Sequence, residues 1–132
     1  MQDGWRNFVV KITGVLDTSD AVLTPAVSLA DCKNNDPMRT RLLGFRVDRI
    51  WHTIGDGLEI QLQWNAANPQ LIMAIAGRSR ESWKEVGGLQ PINTAALGFD
   101  GSINLITTGF GTVGSPVQNF TVGIDLVKLY VT

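Results

Sequence analysis

Leu58-Glu59-Ile60-Gln61-Leu62-Gln63-Trp64-Asn65 sets Leu58, Ile60, Leu62 and Trp64 on one parity and Glu59, Gln61, Gln63 and Asn65 on the other. Side chains of a strand alternate between two faces, so this run is a β-strand with an apolar and a polar side. Just upstream lie Arg41 to Ile54 and then Gly55-Asp56-Gly57. Asp-Gly is the residue pair of a type I′ hairpin turn, whose two central positions need positive φ. With Asp56 and Gly57 central, Thr53 faces Ile60, Trp51 faces Leu62 and Arg49 faces Trp64. That register puts Phe45, Val47, Trp51, Leu58, Ile60, Leu62 and Trp64 on one face, and Arg46, Asp48, His52, Glu59, Gln61 and Gln63 on the other. A slip of one residue would set apolar side chains against the Gln and Glu row.

Outward from this hairpin, period-two patterning predicts strands at Asn7 to Val15, Gln70 to Ala76, Ser82 to Val86, Ser102 to Thr107 and Asn119 to Val131. In Ala21 to Cys32, Pro25 and the β-branched residues favour extended chain, with a short helical turn over Ala26 to Cys32 as the alternative. The last strand changes parity: Phe120, Val122, Ile124 and Leu126 share one face, and Val127, Leu129 and Val131 the other. A β-bulge, a crossing between sheets or a tail buried on both sides would each account for it. About eight strands, glycine-punctuated turns and no amphipathic helix imply one all-β domain over residues 1–132, a β-sandwich with jelly-roll topology the leading arrangement.

Charged residues make up 17% of the chain and apolar residues 44%, against roughly 25% charged in ordinary soluble domains. Such a balance suits a surface covered by neighbours, because interface cores are depleted of charge. The net charge of −1 provides no field for nucleic acid or an anionic membrane. Met1-Gln2-Asp3-Gly4-Trp5-Arg6 lacks the layout of a signal peptide, and no apolar run nears the roughly 18 residues of a membrane span, so synthesis in the cytoplasm is expected.

Nothing in the chain reads as a catalytic or metal-binding constellation, and no cofactor is expected. Cys32 is the single cysteine, which rules out an intrachain disulfide and reads as a small buried apolar residue. His52 is the single histidine and falls on the polar side of the hairpin. The carboxylates Asp48, Glu59, Glu81, Glu85, Asp100 and Asp125 follow no spacing motif, although a glycosidase pair could assemble from distant strands. Gly109-Phe110-Gly111-Thr112-Val113-Gly114 matches GxGxxG, but Ser115-Pro116-Val117-Gln118 leads into another strand and not into the helix a dinucleotide needs. It reads as a connection between strands whose tip can touch a partner. Asn119-Phe120-Thr121 is a glycosylation sequon only on paper, because nothing points to secretion.

The candidates that remain are contact residues. Arg39, Arg41, Arg46 and Arg49, joined by Arg78 and Arg80, are divided between two strand faces, which suits ion pairs with a protein better than a phosphate track. Arg49 is placed to stack on Trp64, and Arg46 to pair with Glu59 or Asp48. Trp51 and Trp64 read as core, leaving Trp5 and Trp83 as candidates for an exposed anchor. The partner-facing set is Trp5, Arg46, Trp83, Phe110, Leu129 and Tyr130.

Trp5-Arg6-Asn7-Phe8-Val9-Val10-Lys11-Ile12, Arg49-Ile50-Trp51, Leu62-Gln63-Trp64-Asn65, Gly87-Gly88-Leu89 and the closing strand Phe120 to Tyr130 together resemble small head-associated proteins of tailed bacteriophages. The resemblance is one of pattern along most of the chain. It implies a capsid decoration or cement protein: a non-enzymatic virion component on the capsid surface, binding the major capsid protein where capsomers meet, as a homodimer or homotrimer. A carbohydrate-binding or receptor-binding sandwich of a phage particle is the alternative, with Trp5 or Trp83 stacking on a sugar.

Overall fold

The computed structural model describes residues 2–16, 20–33, 38, 41–91, 94–110 and 117–131. Nine strands pair antiparallel: β1 (Gln2–Asp3), β2 (Asn7–Leu16), β3 (Val22–Val27), β4 (Arg41–Ile54), β5 (Glu59–Trp64), β6 (Gln70–Ile75), β7 (Arg78–Ser82), β8 (Ile103–Thr108) and β9 (Gln118–Val131). They form a five-stranded sheet of order β1-β2-β9-β4-β7 and a four-stranded sheet of order β3-β8-β5-β6. The protein is an all-β sandwich. Its pairing is nested, β2 with β9, β3 with β8, β4 with β7 and β5 with β6, as in a long antiparallel ribbon rolled over on itself.

The core lies where the inward rows of the two sheets meet. From β5 come Ile60, Leu62 and Trp64, each at most 2% exposed, so the alternation that opened the sequence reading is realised residue by residue. Phe8 of β2 and Phe45 of β4 stack with ring centroids 5.9 Å apart, and Ile103 and Leu105 of β8 are fully enclosed. At roughly 25 cal/mol per Å² of apolar surface buried, each such aromatic or aliphatic side chain contributes about 1.5–3 kcal/mol.

The predicted hairpin does not form. Leu58 N–H donates to Gly55 O at 3.1 Å, so Asp56 and Gly57 are the central residues of the turn as expected. Yet only Gly57 has positive φ, at 78°, which is the pattern of a type II turn. Turns of that kind splay their flanking strands, whereas type I′ would have kept them paired. β4 therefore stays in the five-stranded sheet, between β9 and β7, and β5 crosses to the other sheet.

Two irregularities in β4 set which of its residues face the core. Its pairing with β9 shifts between Leu42 and Gly44 and again between Val47 and Arg49, each time leaving one extra residue, Leu43 and then Asp48, on β4. Past Asp48 the inward row becomes Ile50, His52 and Ile54. His52 is thus 5% exposed on the core side, its Nδ1 3.0 Å from Gly77 O, and not on a polar face. Trp51 leaves the core and lies half-buried on the outer face, where a Cβ at its cross-strand partner Gly123 would collide with its indole.

The predicted strand Ser82 to Val86 is displaced toward the N-terminus. β7 occupies Arg78–Ser82 as a polar edge strand, and Lys84–Val86 form a single 3₁₀ turn closed by Gly87 in the left-handed region. A charged edge of this kind resists pairing with other chains, and it leaves no apolar alternation to read. Between Ala21 and Cys32 both expected conformations occur in sequence: strand β3, then a 3₁₀ turn at Leu29–Asp31, with Asp31 Oδ2 accepting the Ser28 N–H at 2.9 Å. Of the three accounts of the final strand, a tail covered on both sides applies: Leu126, Val127 and Lys128 are all buried, and the bulges belong to β4.

Candidate functional site

β9 builds the site, because its outward row lies along the middle of the five-stranded sheet. Gly123, Asp125, Val127 and Leu129 alternate outward, while Val122, Ile124 and Leu126 point to the core. Across from them stand Asn7 and Val9 on β2, paired with Val127 and Asp125. On the other side, Arg49 is paired with Asp125 and Arg46 with Val127. Lys84 reaches over from the 3₁₀ turn after β7.

Arg46 and Arg49 are three residues apart, which in a regular strand would send them to opposite faces. The extra residue Asp48 restores them to one face, so the division of the arginines between two faces is corrected: both line a single groove of about 370 Å³ with Arg6 and Lys84. Arg49 does not stack on Trp64, which belongs to the other sheet; its Nε donates to Asp125 Oδ2 at 2.7 Å. Arg46 pairs with Asp48 and not Glu59, through Nε at 2.8 Å and a second, longer bond of 3.4 Å. Asp48 is 6% exposed, and a Cβ on Gly88 would strike both it and the Arg46 stem. The open φ of Gly88, +78°, thus allows the loop to close down over this ion pair.

Arg6 and Lys84 form no ion pair among the described residues. The groove therefore carries Arg6, Arg46, Arg49 and Lys84 against Asp48 and Asp125, a surplus of two positive charges on a chain whose net charge is −1. Its second arm, of about 340 Å³, shares Arg6, Arg46 and Val127 and runs on to Trp5, Leu129 and Tyr130. Trp5 is 53% exposed there. Four of the six expected contact residues, Trp5, Arg46, Leu129 and Tyr130, come together in this arm.

The other two do not. Trp83 is partly buried against the core, its N–H bonded to Asp48 O at 2.8 Å, so it supports the loop that carries Lys84 and is no exposed anchor. Phe110 lies at the Asp20 end, where its N–H donates to Asp20 Oδ1 at 3.1 Å and its ring packs on the core. The glycine run it belongs to joins β8 to β9, and its residues 111–116 are outside the described set, as is Arg39. Arg78 and Arg80 stand on the edge strand β7 opposite Thr53 and Trp51. Sequence reasoning missed Arg6 and Lys84: the first adjoins a residue it did select, Trp5, and the second follows Trp83, but only folding brings the two together.

The N-terminal residues that frame the groove are fastened by β9. Tyr130 Oη donates to Trp5 O at 2.5 Å, and Lys128 N–H donates to Arg6 O at 2.6 Å. The Lys128 ammonium is wholly buried, 5.8 Å from the centroid of the Phe8 ring, and forms an ion pair with Asp3. Beside this pair Cys32 is 6% exposed, and burial pushes its thiol up to about 11, with Lys128 opposing and Asp3 and Asp31 adding to the shift. A thiol held protonated in this way is a poor nucleophile.

Asp48 and Asp125 share the groove, but both are engaged by arginines, and Asp100 accepts from Asn65 Nδ2 at 3.1 Å and Ser102 N–H at 3.0 Å. Among the described residues no three His, Cys, Asp or Glu side chains gather as metal ligands, and no helix is long and apolar enough to cross a membrane. No known family model matches the chain, and no curated protein sequence matches it either.

Proposed function

We propose that the protein is a non-enzymatic contact module of a phage particle, a decoration or cement protein that binds the major capsid protein on the outside of the shell and bridges capsomers. The observation that carries this reading is the two-armed groove, in which an exposed tryptophan, an apolar floor and clamped arginines share one rigid sheet face. Large aromatic and arginine side chains are those that dominate protein interfaces. The nested strand order supports reading the sandwich as a jelly roll, an architecture common in capsid proteins.

Binding only to the assembled shell would stabilise it by mass action, about 2.7 kcal/mol per site when free protein is at a hundredfold excess over Kd. A dimer or trimer of the protein would match the symmetry axes of such a shell. Co-sedimentation with undecorated heads of the parent phage tests the proposal. Saturable binding at symmetric positions is expected, and protein left entirely in the supernatant would overturn it. The alternative, a carbohydrate-binding module, draws on the exposure of Trp5 beside Tyr130 and predicts oligosaccharide-dependent tryptophan fluorescence.

A further inference from the structure

We infer that the occupant of the groove is an acidic peptide segment of the protein's partner, its carboxylates meeting Arg6, Arg46, Arg49 and Lys84 and an apolar side chain lying toward Trp5. The inference rests on the contact-module reading and specifies what that contact recognises.

Charge complementarity is the first ground. The chain as a whole is slightly negative, so a local surplus of two positive charges is a concentration at this face and not a general property of the surface. Pre-orientation is the second. Asp125 takes the Nε edge of Arg49, and Asp48 takes Nε and one terminal nitrogen of Arg46, which fixes both guanidinium planes before any ligand arrives. A fixed planar fork suits carboxylates, which it can bind in bidentate fashion at less entropic cost than a free side chain.

The choice of a peptide over a nucleic acid follows from the same residues. Two carboxylates stand within the groove, and a continuous phosphate backbone would have to run past both. Separate acidic side chains can each settle on one cation and avoid them. The floor, Val9, Val127 and Leu129, is apolar, and Trp5 supplies a half-exposed aromatic wall at one end. Those surfaces accept an aliphatic or aromatic side chain and offer nothing specific to a sugar-phosphate chain.

The test is a calorimetric titration of the full chain with an acetylated, amidated peptide of four glutamates around a central leucine, next to a single-stranded oligonucleotide of equal charge. Saturable 1:1 peptide binding is expected, weakening severalfold as salt rises from 50 to 300 mM. In the double variant Arg6→Ala/Lys84→Ala, peptide affinity should fall about tenfold or more, with the circular dichroism spectrum unchanged because both side chains are exposed and make no ion pair among the described residues. Arg6→Lys/Lys84→Arg should restore most of it. No saturable peptide binding, an undiminished affinity in the double alanine variant, or tighter binding of the oligonucleotide would each overturn the inference. Co-sedimentation with heads separates the two proposals. Heads that bind wild type and the double alanine variant equally overturn the groove inference alone. A wild-type protein that binds the peptide but no heads overturns the decoration reading alone.

Discussion

The outer faces of the two sheets began from similar polar rows and ended differently. On the four-stranded sheet the row is amides: Gln63 Nε2 donates to Gln61 Oε1 at 3.2 Å, Asn104 Nδ2 to Asn65 Oδ1 at 3.2 Å, and Asn65 Nδ2 onward to Asp100. Asn104 is only 2% exposed although it points away from the core, because the chain from Asn65 to Ala67 is bonded to Ser102 and Leu97 above it. On the five-stranded sheet the row is ions and aromatics, and the groove is open. The amides bond to one another within the fold, with Gln63 Oε1 and Asn104 Oδ1 left buried and without a partner among the described residues, whereas charged side chains anchored at one edge keep donors directed at whatever arrives. The first face bonds to itself, and the second is the one proposed above to meet a partner.

The layer between the faces sets the scale for breaking this comparison. Trp64→Ala removes a core side chain that is 2% exposed and should cost about 3–5 kcal/mol in chemical denaturation. Trp51→Ala, on the outer face, should cost about 1 kcal/mol, and equal losses for the two tryptophans would refute the assignment of Trp51 to the outside. Next in size, Asn104→Ala deprives Asn65 Oδ1 of its donor inside a covered network and should cost about 1–3 kcal/mol. The same measurement on Arg6→Ala should register less than about 0.5 kcal/mol, since that side chain is exposed and forms no ion pair among the described residues. If the amide face proved as tolerant as the groove, the distinction would fail.

A pH-dependent effect arises at a buried thiol that belongs to neither face. The Cys32 thiol has a folded pKa of about 11 against an ordinary 9.0, so the fold binds this proton more tightly than the unfolded chain does. Its contribution is complete below pH 9 and disappears as pH rises toward 11, a loss of order 1–2 kcal/mol. Thermal melts between pH 8 and 11 should show Cys32→Ala losing less stability than wild type across that window. Parallel curves would mean the thiol titrates normally. The smallest effect expected is Arg6→Ala/Lys84→Ala on the melting temperature, within about 2 °C, alongside the large loss in peptide affinity.

What the sequence disclosed and what it withheld follow from the range of each interaction. The strands β2, β5, β8 and β9 were legible because burial on one face writes itself as alternation, and Leu58 to Trp64 is the plainest case. Gly55-Asp56-Gly57 was legible as a turn but not as a corner, since the choice between type I′ and type II rests on the φ of Asp56, which the dipeptide does not decide. β7 was illegible: Arg78–Ser82 is a polar edge with no periodic signal. At the site, Trp5, Arg46, Leu129 and Tyr130 could be picked out by type, as aromatic, basic or two-sided residues. Arg6, Arg49 and Lys84 could not be joined to them, because their meeting depends on one unpaired residue in β4 and on a loop that returns to pair Leu89 with Val47.

That extra residue, Asp48, is slack built into β4. Deleting its codon would set Arg49 directly after Val47, and the two would keep their partners Asp125 and Leu126, so Arg49 and Trp51 would stay outside and Ile50, His52 and Ile54 inside. What would go is the local bend of the strand and the carboxylate that holds the Arg46 guanidinium. The faces of the sandwich can survive the loss of this residue, but the fastening of the groove's arginine cannot.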